Sequence, residues 1–246
     1  MSSSPFNQLL IDFPTQTDDS FSNFIESESS TLALQAARRI CLDAPCPFNV
    51  LFIAGKSGLG KTHLLHAIGN HVAGHRIGER ALYMDSARFT KSLNEEDKME
   101  DALREILSAD FFLLDDVHKM SGSPNAQEKL HHVYNILNQK KKKIIFTANK
   151  PPKKLSGLAD FLKSRFYWGM VVVLKEIDDN TTELLLQKLA NDIKLDLPKP
   201  ILRFLLNRVP RDFRSLHETV NAINQVSYAK KQKVTIQLVK TALNLN

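Results

Sequence analysis

The segment from Gly55 to Thr62, which reads GKSGLGKT, constrains the fold more than any other feature of the sequence. It fits the pattern G-x-x-x-x-G-K-[ST], in which glycines let the backbone curl so that its N–H groups point at phosphate oxygens. The apolar run Asn49–Ala54 precedes it and a helical stretch follows, as this pattern requires. Lys61 is expected to reach the β- and γ-phosphates, and Thr62 to hold Mg²⁺. The sequence therefore predicts a P-loop with ATP or ADP and Mg²⁺ as cofactors.

The predicted nucleotide site extends over nearly the whole loop and one residue beyond it. Its members are Gly55, Ser57, Gly58, Leu59, Gly60, Lys61, Thr62 and His63. The imidazoles of His63 and His66, three residues apart on the predicted helix, are assigned to packing, because the sequence offers no third metal ligand beside them.

Short apolar runs recur after the loop, with helical stretches between them. These runs are Ala81–Met84, Phe111–Leu114, Lys143–Thr147 and Met170–Leu174. Strands that alternate with helices predict a parallel sheet covered on both faces. Beyond Asp179 the pattern is helical only, at about 180–193, 198–208, 212–229 and 235–244. The predicted fold class is therefore α/β, with a five-stranded parallel sheet flanked by helices and a small all-helical C-terminal domain. The predicted boundaries are a flexible tail over 1–20, the α/β domain over 21–177 and the helical domain over 178–246.

A second polar cluster follows the run Phe111–Leu114. The acids Asp115 and Asp116 end this strand at the edge where such sheets bind ligands. Asp115 is expected to orient Mg²⁺ through its water shell, and Asp116 to polarise an attacking water. Many related ATPases have glutamate at the second position, so the shorter Asp116 leaves open whether the chain hydrolyses ATP. Asn149 follows the next strand and either contacts the γ-phosphate or water, or forms a turn.

The composition and charge of the chain limit its binding partners and its location in the cell. The 246 residues carry a net charge of +6, and all 33 Lys and Arg lie after residue 37. A basic body attracts nucleic acid or an acidic protein. The run Lys140–Lys143 is either a solvated face or a weak nucleic-acid contact. No run has the ~20 apolar residues of a membrane helix, the N-terminus has no signal peptide pattern, and there are only two cysteines. We therefore expect a cytoplasmic protein with reduced thiols.

Five stretches together resemble the DnaA-type AAA+ ATPases. They are Gly58–Asn70 (GLGKTHLLHAIGN), Phe21–Phe24 (FSNF), Ala44–Ile53 (APCPFNVLFI), Pro151-Pro152 and Lys163–Gly169 (KSRFYWG). The resemblance runs from about Phe21 to Leu245 and implies an AAA+ module with a helical lid. It implies that Arg165 is an arginine finger reaching into a neighbour's ATP site, which leaves a homo-oligomer open; the alternative is a structural arginine at a helix end. It implies that Arg214 senses the γ-phosphate within its own chain, and that Trp168 is structural.

Several positions depart from the initiators of this family. The initiators carry basic residues for single-stranded DNA where this chain has the uncharged Ser121–Asn125. Phe161 stands where an initiator commonly has another arginine, and the stretch Asn94–Ser108 begins acidic. The initiators also end in a helix-turn-helix domain, whereas the given sequence ends after the lid. These differences argue against a filament that melts an origin.

The tail contains Gln8-Leu9-Leu10-Ile11-Asp12-Phe13, which resembles the peptide that binds the sliding clamp of DNA polymerase. Such a peptide docks extended, and Gln8, Leu9, Ile11 and Phe13 are the expected contacts. The alternative is that the tail packs on the chain's own core. A short DnaA-like ATPase with this peptide resembles the Hda-type regulators, which with the clamp promote ATP hydrolysis by the initiator. The alternatives are a helicase loader or other replication accessory ATPase that binds DNA, and a binding module that holds nucleotide without turnover.

Overall fold

The structure is a computed structural model that describes residues 19–42 and 45–245, apart from the side chains of residues 96–98. These residues form two compact units. The first contains the described chain up to residue 24 together with 30–56 and 61–174. The second contains residues 25–29 and 57–60 together with the chain from 175 onward. The boundary predicted between residues 177 and 178 stays a prediction.

The first unit is built on a five-stranded sheet whose neighbouring strands are all parallel. The strands are β1 (Val50–Ala54), β2 (Ala81–Asp85), β3 (Phe111–Asp115), β4 (Lys143–Ala148) and β5 (Met170–Val173). Their order across the sheet is β2-β3-β4-β1-β5. Every residue of β1 and β3 is buried, because helices cover both faces of a parallel sheet. The predicted fold class is confirmed, and the predicted strands differ from the observed ones by one residue at an end.

Among the described residues of this unit, six α-helices surround the sheet. They are α1 (Thr31–Ile40), α2 (Lys61–His75), α3 (Ser86–Asn94), α4 (Glu96–Ser108), α5 (Pro124–Gln139) and α6 (Asp160–Phe166). In the core on one face, Phe166 lies 4.9 Å from Phe52 and 4.8 Å from Phe146, measured between ring centroids. Because the strands are parallel, β1, β3 and β4 all end at the same edge of the sheet. The P-loop, the two acids and Asn149 follow these three ends.

The second unit is helical from residue 175 onward. Its helices are α7 (Asp179–Asp192), α8 (Lys199–Leu206), α9 (Phe213–Lys230) and α10 (Ile236–Ala242). Three of them begin at a side chain that accepts a hydrogen bond from a backbone N–H: Asp178 from Thr181, Asp212 from Ser215, and Thr235 from Leu238. Such caps satisfy N–H groups that have no partner inside the helix. The leucine-rich core of this unit lies between the four helices.

The described residues bear on two further expectations, the flexible tail and the clamp peptide. The predicted tail ran to residue 20, but Asp19 and Ser20 are half-buried and bound to α2. The clamp-peptide residues Gln8, Leu9, Ile11 and Phe13 lie outside the described residues. None of the helices described for this chain is long and apolar enough to cross a membrane.

Candidate nucleotide site

The turn of the P-loop requires glycine at two positions. Gly58 and Gly60 have φ of 76° and 88°, in the left-handed region that other residues rarely adopt. A Cβ atom on Gly58 would also lie 2.5 Å from Asp212 Oδ1. Within the second unit, the Phe213 N–H donates a hydrogen bond of 2.9 Å to the Gly58 carbonyl. This turn is therefore fixed both by its own conformation and by the start of α9.

The remaining residues of the loop occupy different environments. Gly55 directly follows β1, and its N–H donates to the Ala148 carbonyl at 3.0 Å. Ser57 is exposed and Leu59 is buried. The predicted loop residues thus include one that continues the sheet contacts, one open to solvent and one buried.

Lys61 begins α2 and is buried. Its Nζ donates a hydrogen bond of 2.8 Å to the Lys56 carbonyl, so the side chain folds back over the loop. Burial lowers the pKa of Lys61 from its usual value, while the charges of Asp116 and Asp115 act in the opposite direction. A buried ammonium group beside two carboxylates is suited to an anionic ligand, because phosphate adds the negative charge that favours its protonated form.

Asp115 at the end of β3 is held by three hydroxyl groups. Thr62 Oγ1 donates to Asp115 Oδ2 at 2.7 Å, and the Tyr83 hydroxyl donates to the same oxygen at 3.2 Å. Thr147 Oγ1 donates to Asp115 Oδ1 and accepts the Asp116 N–H at 2.8 Å. Burial and the neighbouring Asp115 raise the pKa of Tyr83, which keeps its hydroxyl a donor. The ends of β2, β3 and β4 and the start of α2 therefore fix one carboxylate.

Thr62 and Asp115 fit the needs of Mg²⁺. This ion takes oxygen ligands, keeps several waters and is commonly bound by one or two protein groups together with phosphate oxygens. The two side chains are already in contact, and both offer oxygen. Within the described ranges, no group of three or more His, Cys, Asp or Glu could hold a metal on its own. Thr62 would bind the ion, Asp115 would orient its water shell, and the ion would offset phosphate charge.

Asp116 and Asn149 follow the ends of the neighbouring strands β3 and β4. Asp116 has φ of 55°, in the left-handed region, and precedes the 3-10 turn Val117–Met120. Its carboxylate pairs with Lys119 Nζ at 2.7 Å and lies 3.8 Å from His118 Nδ1. Asn149 follows β4 and is exposed. Asp116 therefore holds a cation of its own chain, and a water-activating role requires that this pair opens.

The ring of His63 contacts the segment before α1. Its Nδ1 lies 3.0 Å from Asp19 Oδ1 and its Nε2 lies 3.0 Å from the Ser20 carbonyl. His66 Nδ1 lies 2.8 Å from Asp19 Oδ2. The assignment of both rings to packing was therefore incomplete, since polar contacts hold them. The inclusion of His63 among the nucleotide-binding residues stays a prediction.

Arg165 lies in the last turn of α6 and is partly exposed. Its Cζ atom lies 4.1 Å from the centroid of the Trp168 ring, and its Nε lies 3.4 Å from Asn135 Oδ1. Trp168 is 62% exposed, and its indole covers a guanidinium of its own chain at the surface; a structural role for Trp168 stays a prediction. Arg214 lies in the first turn of α9 in the second unit, where its Nε donates to Glu218 Oε1 at 2.9 Å.

Two family models match this chain over most of its length. The model described as the bacterial DnaA ATPase domain matches residues 15–173. The chain belongs to the bacterial DnaA ATPase family. A model described as the lid domain of Hda matches residues 178–243, so this DnaA-like, Hda-like AAA+ protein binds nucleotide in an ATPase domain followed by a helical lid.

Solved DnaA structures have the same fold. Domain III of the Thermotoga maritima replication initiation protein DnaA is 29% identical, with a TM-score of 0.85 over 92% of this chain and 96% of that one. AMPPCP-bound DnaA from Aquifex aeolicus is 30% identical, with a TM-score of 0.77 over 85% of this chain and 66% of that one. A replication initiator DnaA bound to AMPPCP and single-stranded DNA is 25% identical, with a TM-score of 0.74, 91% of this chain and 79% of that one being covered.

Sequence reasoning missed three residues of the DnaA-type site. Tyr83 and Thr147 bind Asp115, and Asp19 binds the two histidines of α2. Tyr83 and Thr147 were read as members of apolar runs. Their signal was a hydroxyl near the carboxyl end of a strand, at the edge where the P-loop and the acids were already expected.

Proposed function

We propose that this chain is an ATP- or ADP-binding regulator of replication initiation, and that it promotes hydrolysis of ATP held by a DnaA-type initiator. The match to a DnaA ATPase domain followed by an Hda lid supports a role in replication. In this proposal, nucleotide bound by this chain keeps its ATPase module in the form that docks on the initiator. Arg165 then acts on the ATP that the initiator holds.

The surroundings of Arg165 carry this proposal. The guanidinium lies on the Trp168 ring at 4.1 Å, and among the described residues no carboxylate pairs with it within 4.0 Å. By contrast, Lys163 on the same helix pairs with Asp160 at 3.1 Å. A guanidinium that is held by a ring rather than a carboxylate keeps its positive charge and most of its donors for a partner.

The mechanism follows from charge. During hydrolysis, negative charge spreads over the γ-phosphoryl oxygens and the leaving oxygen. A guanidinium placed there stabilises the transition state more than the ground state, because the charge it contacts grows along the reaction. Fingers of this kind accelerate hydrolysis by ~10³–10⁵. The chain's own turnover is expected to be slow, since the carboxylate of Asp116 is bound to Lys119.

The tail supplies the second partner in this proposal. The segment with Gln8, Leu9, Ile11 and Phe13 resembles the peptide that binds the sliding clamp, and such a peptide docks in an extended form. A clamp on DNA would hold the regulator close to DNA-bound initiator and raise its local concentration. Arg165 therefore accelerates hydrolysis in this proposal, and the tail brings the chain close to the initiator.

Single-turnover hydrolysis of ATP preloaded on the initiator tests this function, with clamp, DNA and either wild-type or variant chain. Arg165→Ala should keep nucleotide binding and fold but lose the stimulation, which we expect to be at least ~10³ in the wild type. Arg165→Lys should recover little, because a lysine lacks the planar donor fork. Lys163→Ala, which removes a cation from the same helix, is the matched control and should stimulate normally. If Arg165→Ala stimulates as well as wild type, the regulator proposal fails and a helicase-loader role becomes the better one.

A further inference from the structure

The second unit contains a cleft that the nucleotide site does not use. It has a volume of about 640 Å³ and lies between the turn that follows α7 and the turn that follows α9. Lys194, Lys231 and Lys233 line it, against a single acidic residue, Asp196. Asn224 and Tyr228, both from α9, also line the cleft. The cleft is thus net positive and bears both polar and aromatic groups.

Two of these lysines stand where the backbone favours another residue. Lys194 has φ of 56° and Lys231 has φ of 50°, both in the left-handed region. Helices commonly end in this conformation at glycine or asparagine, and for other residues it costs about 1–2 kcal/mol. Lysine therefore does not help either turn to form. Lys141 adopts the same conformation outside the cleft, so the backbone alone does not indicate a ligand; what distinguishes Lys194 and Lys231 is that both line the same cleft.

Tyr228 adds an aromatic surface to the same cleft. Its side chain is 85% exposed, although it lies in the last turns of a helix whose other face is packed in the core. Over the part of the chain that the structure describes, the ring stacks on no other ring and no cation. An exposed flat ring beside lysines is the combination that binds the bases and phosphates of a single strand.

We propose that this cleft binds single-stranded nucleic acid. Lys194, Lys231 and Lys233 bind backbone phosphates, and one base stacks on Tyr228. An acidic peptide would also satisfy the lysines, but it would leave the tyrosine without a role. A duplex keeps its bases stacked inside the helix and cannot offer one to the ring. The proposal does not depend on Arg165 or on the clamp, so it can fail while the proposed function holds.

The binding test uses the full chain with saturating ADP and Mg²⁺ and a fluorescein-labelled oligothymidylate of about 15 nucleotides without a terminal phosphate. Anisotropy titrations from about 50 to 200 mM salt measure the slope of log affinity against log salt. Three phosphate contacts predict a slope of about −2 for a single strand. Lys194→Gly and Lys231→Gly should each weaken binding severalfold and reduce the slope by about 0.7.

These glycine variants separate binding from folding. Glycine fits the left-handed conformation better than lysine, so both variants should melt at the wild-type temperature or above it. Lys141→Gly has φ of 54° and precedes β4 in the first unit, so it is the matched control for stability alone. Lys91→Ala is the control for binding: its side chain is 77% exposed in α3, outside the cleft and outside the run Lys140–Lys143, so the affinity for the oligonucleotide should be unchanged. Unchanged affinity and slope in Lys194→Gly and Lys231→Gly would overturn the proposal.

The ring is tested separately. Tyr228→Phe should bind as wild type, and Tyr228→Leu should lose about tenfold in affinity with the same salt slope, because stacking but no charge is removed. A labelled glutamate peptide of about the same length is the competing ligand. Binding of this peptide as tight as that of the oligonucleotide, or normal oligonucleotide binding by Tyr228→Leu, identifies a general basic surface and refutes the nucleic-acid site.

Discussion

Asp19 holds the segment before α1 against α2. Its carboxylate lies 3.0 Å from His63 Nδ1 and 2.8 Å from His66 Nδ1, and its carbonyl accepts from Asn70 Nδ2 at 2.8 Å. Burial acts to raise the pKa of this carboxyl, but the hydrogen bonds and positive charge of the two histidines outweigh it and hold the pKa well below its usual value. The ionised form therefore stabilises the folded state.

The stability of Asp19→Asn relative to wild type should depend on pH. A folded-state pKa below the unfolded one, ~3.9, means that the stabilisation is present above that pH and is lost on acidification. At pH ~7 the variant should lose about 1.5–3 kcal/mol of stability, the range for hydrogen bonds to charged groups. At pH ~3 the difference should shrink. Urea denaturation across this range measures it.

Asp160→Asn is the matched control for this measurement, because the Asp160 side chain is 98% exposed and its pair with Lys163 is a surface contact. We expect Asp160→Asn to lose less than about 0.5 kcal/mol of stability at either pH. A loss in Asp19→Asn that is equal at both pH values would show that the amide fails to pack and that the charge of Asp19 contributes nothing.

The individual residues of the site were predictable to different degrees. Lys61, Thr62 and Asp115 follow from local patterns, because the loop and the end of a buried strand each have a recognisable sequence. Tyr83 and Thr147 depend on contacts between strands that are far apart in the chain, and no local pattern contains them. Asp19 was read as part of a polar tail, since its two partners lie on a helix more than forty residues later.

At the scale of elements, the strands were readable because helices cover both faces of the sheet. A strand such as β1 or β3 then becomes a continuous apolar run. The order β2-β3-β4-β1-β5 was not readable, because it depends on which strand each crossover reaches. The ends of the four predicted C-terminal helices differed by one or two residues, since caps such as Asp178 and Asp212 decide where each helix begins.

The two ends of the loop–helix element should respond oppositely to the same substitution. Gly58→Ala forces a side chain into a left-handed turn beside Asp212, so it should destabilise the chain by at least about 1–2 kcal/mol and weaken nucleotide binding. Gly74→Ala lies near the end of α2 with no atom within 4 Å of the added Cβ, so it should stabilise by up to about 1 kcal/mol. Thermal melts and titration with a fluorescent ADP analogue measure both effects. Equal stability of the two variants would contradict the assigned turn.

At the scale of the whole molecule, tertiary contacts decide which segments group together. Residues 57–60 lie between β1 and α2 in the chain, yet they belong to the second unit, where Gly58 accepts the Phe213 N–H. A boundary drawn along the sequence cannot show this, because the change from strand and helix to helix alone occurs only once, near residue 175. The lid model, which matches residues 178–243, follows that single change.

Removing the tail should abolish clamp binding without changing the nucleotide site or Arg165. Deleting residues 1–13 removes the proposed clamp peptide but leaves Asp19 and its contacts with α2 in place. The shortened chain should keep wild-type stability and nucleotide affinity and lose clamp binding on gel filtration. A synthetic peptide of residues 5–16 should displace the full chain from the clamp, because an extended peptide carries its own contacts.

The same deletion then predicts the pattern of initiator hydrolysis. Without clamp, the deleted and full chains should stimulate equally, since both retain Arg165. With clamp on DNA, only the full chain should stimulate initiator hydrolysis more strongly. Tethering raises its effective concentration near the initiator without any new contact at the ATP. The matched control is a triple alanine variant outside the peptide, at Thr15, Gln16 and Thr17. It should keep the increase in stimulation that the clamp produces. If the deleted chain still co-migrates with the clamp, the contact lies elsewhere on the molecule; if it also keeps the gain, the tail has no part in delivery and the effect of Arg165 stands alone.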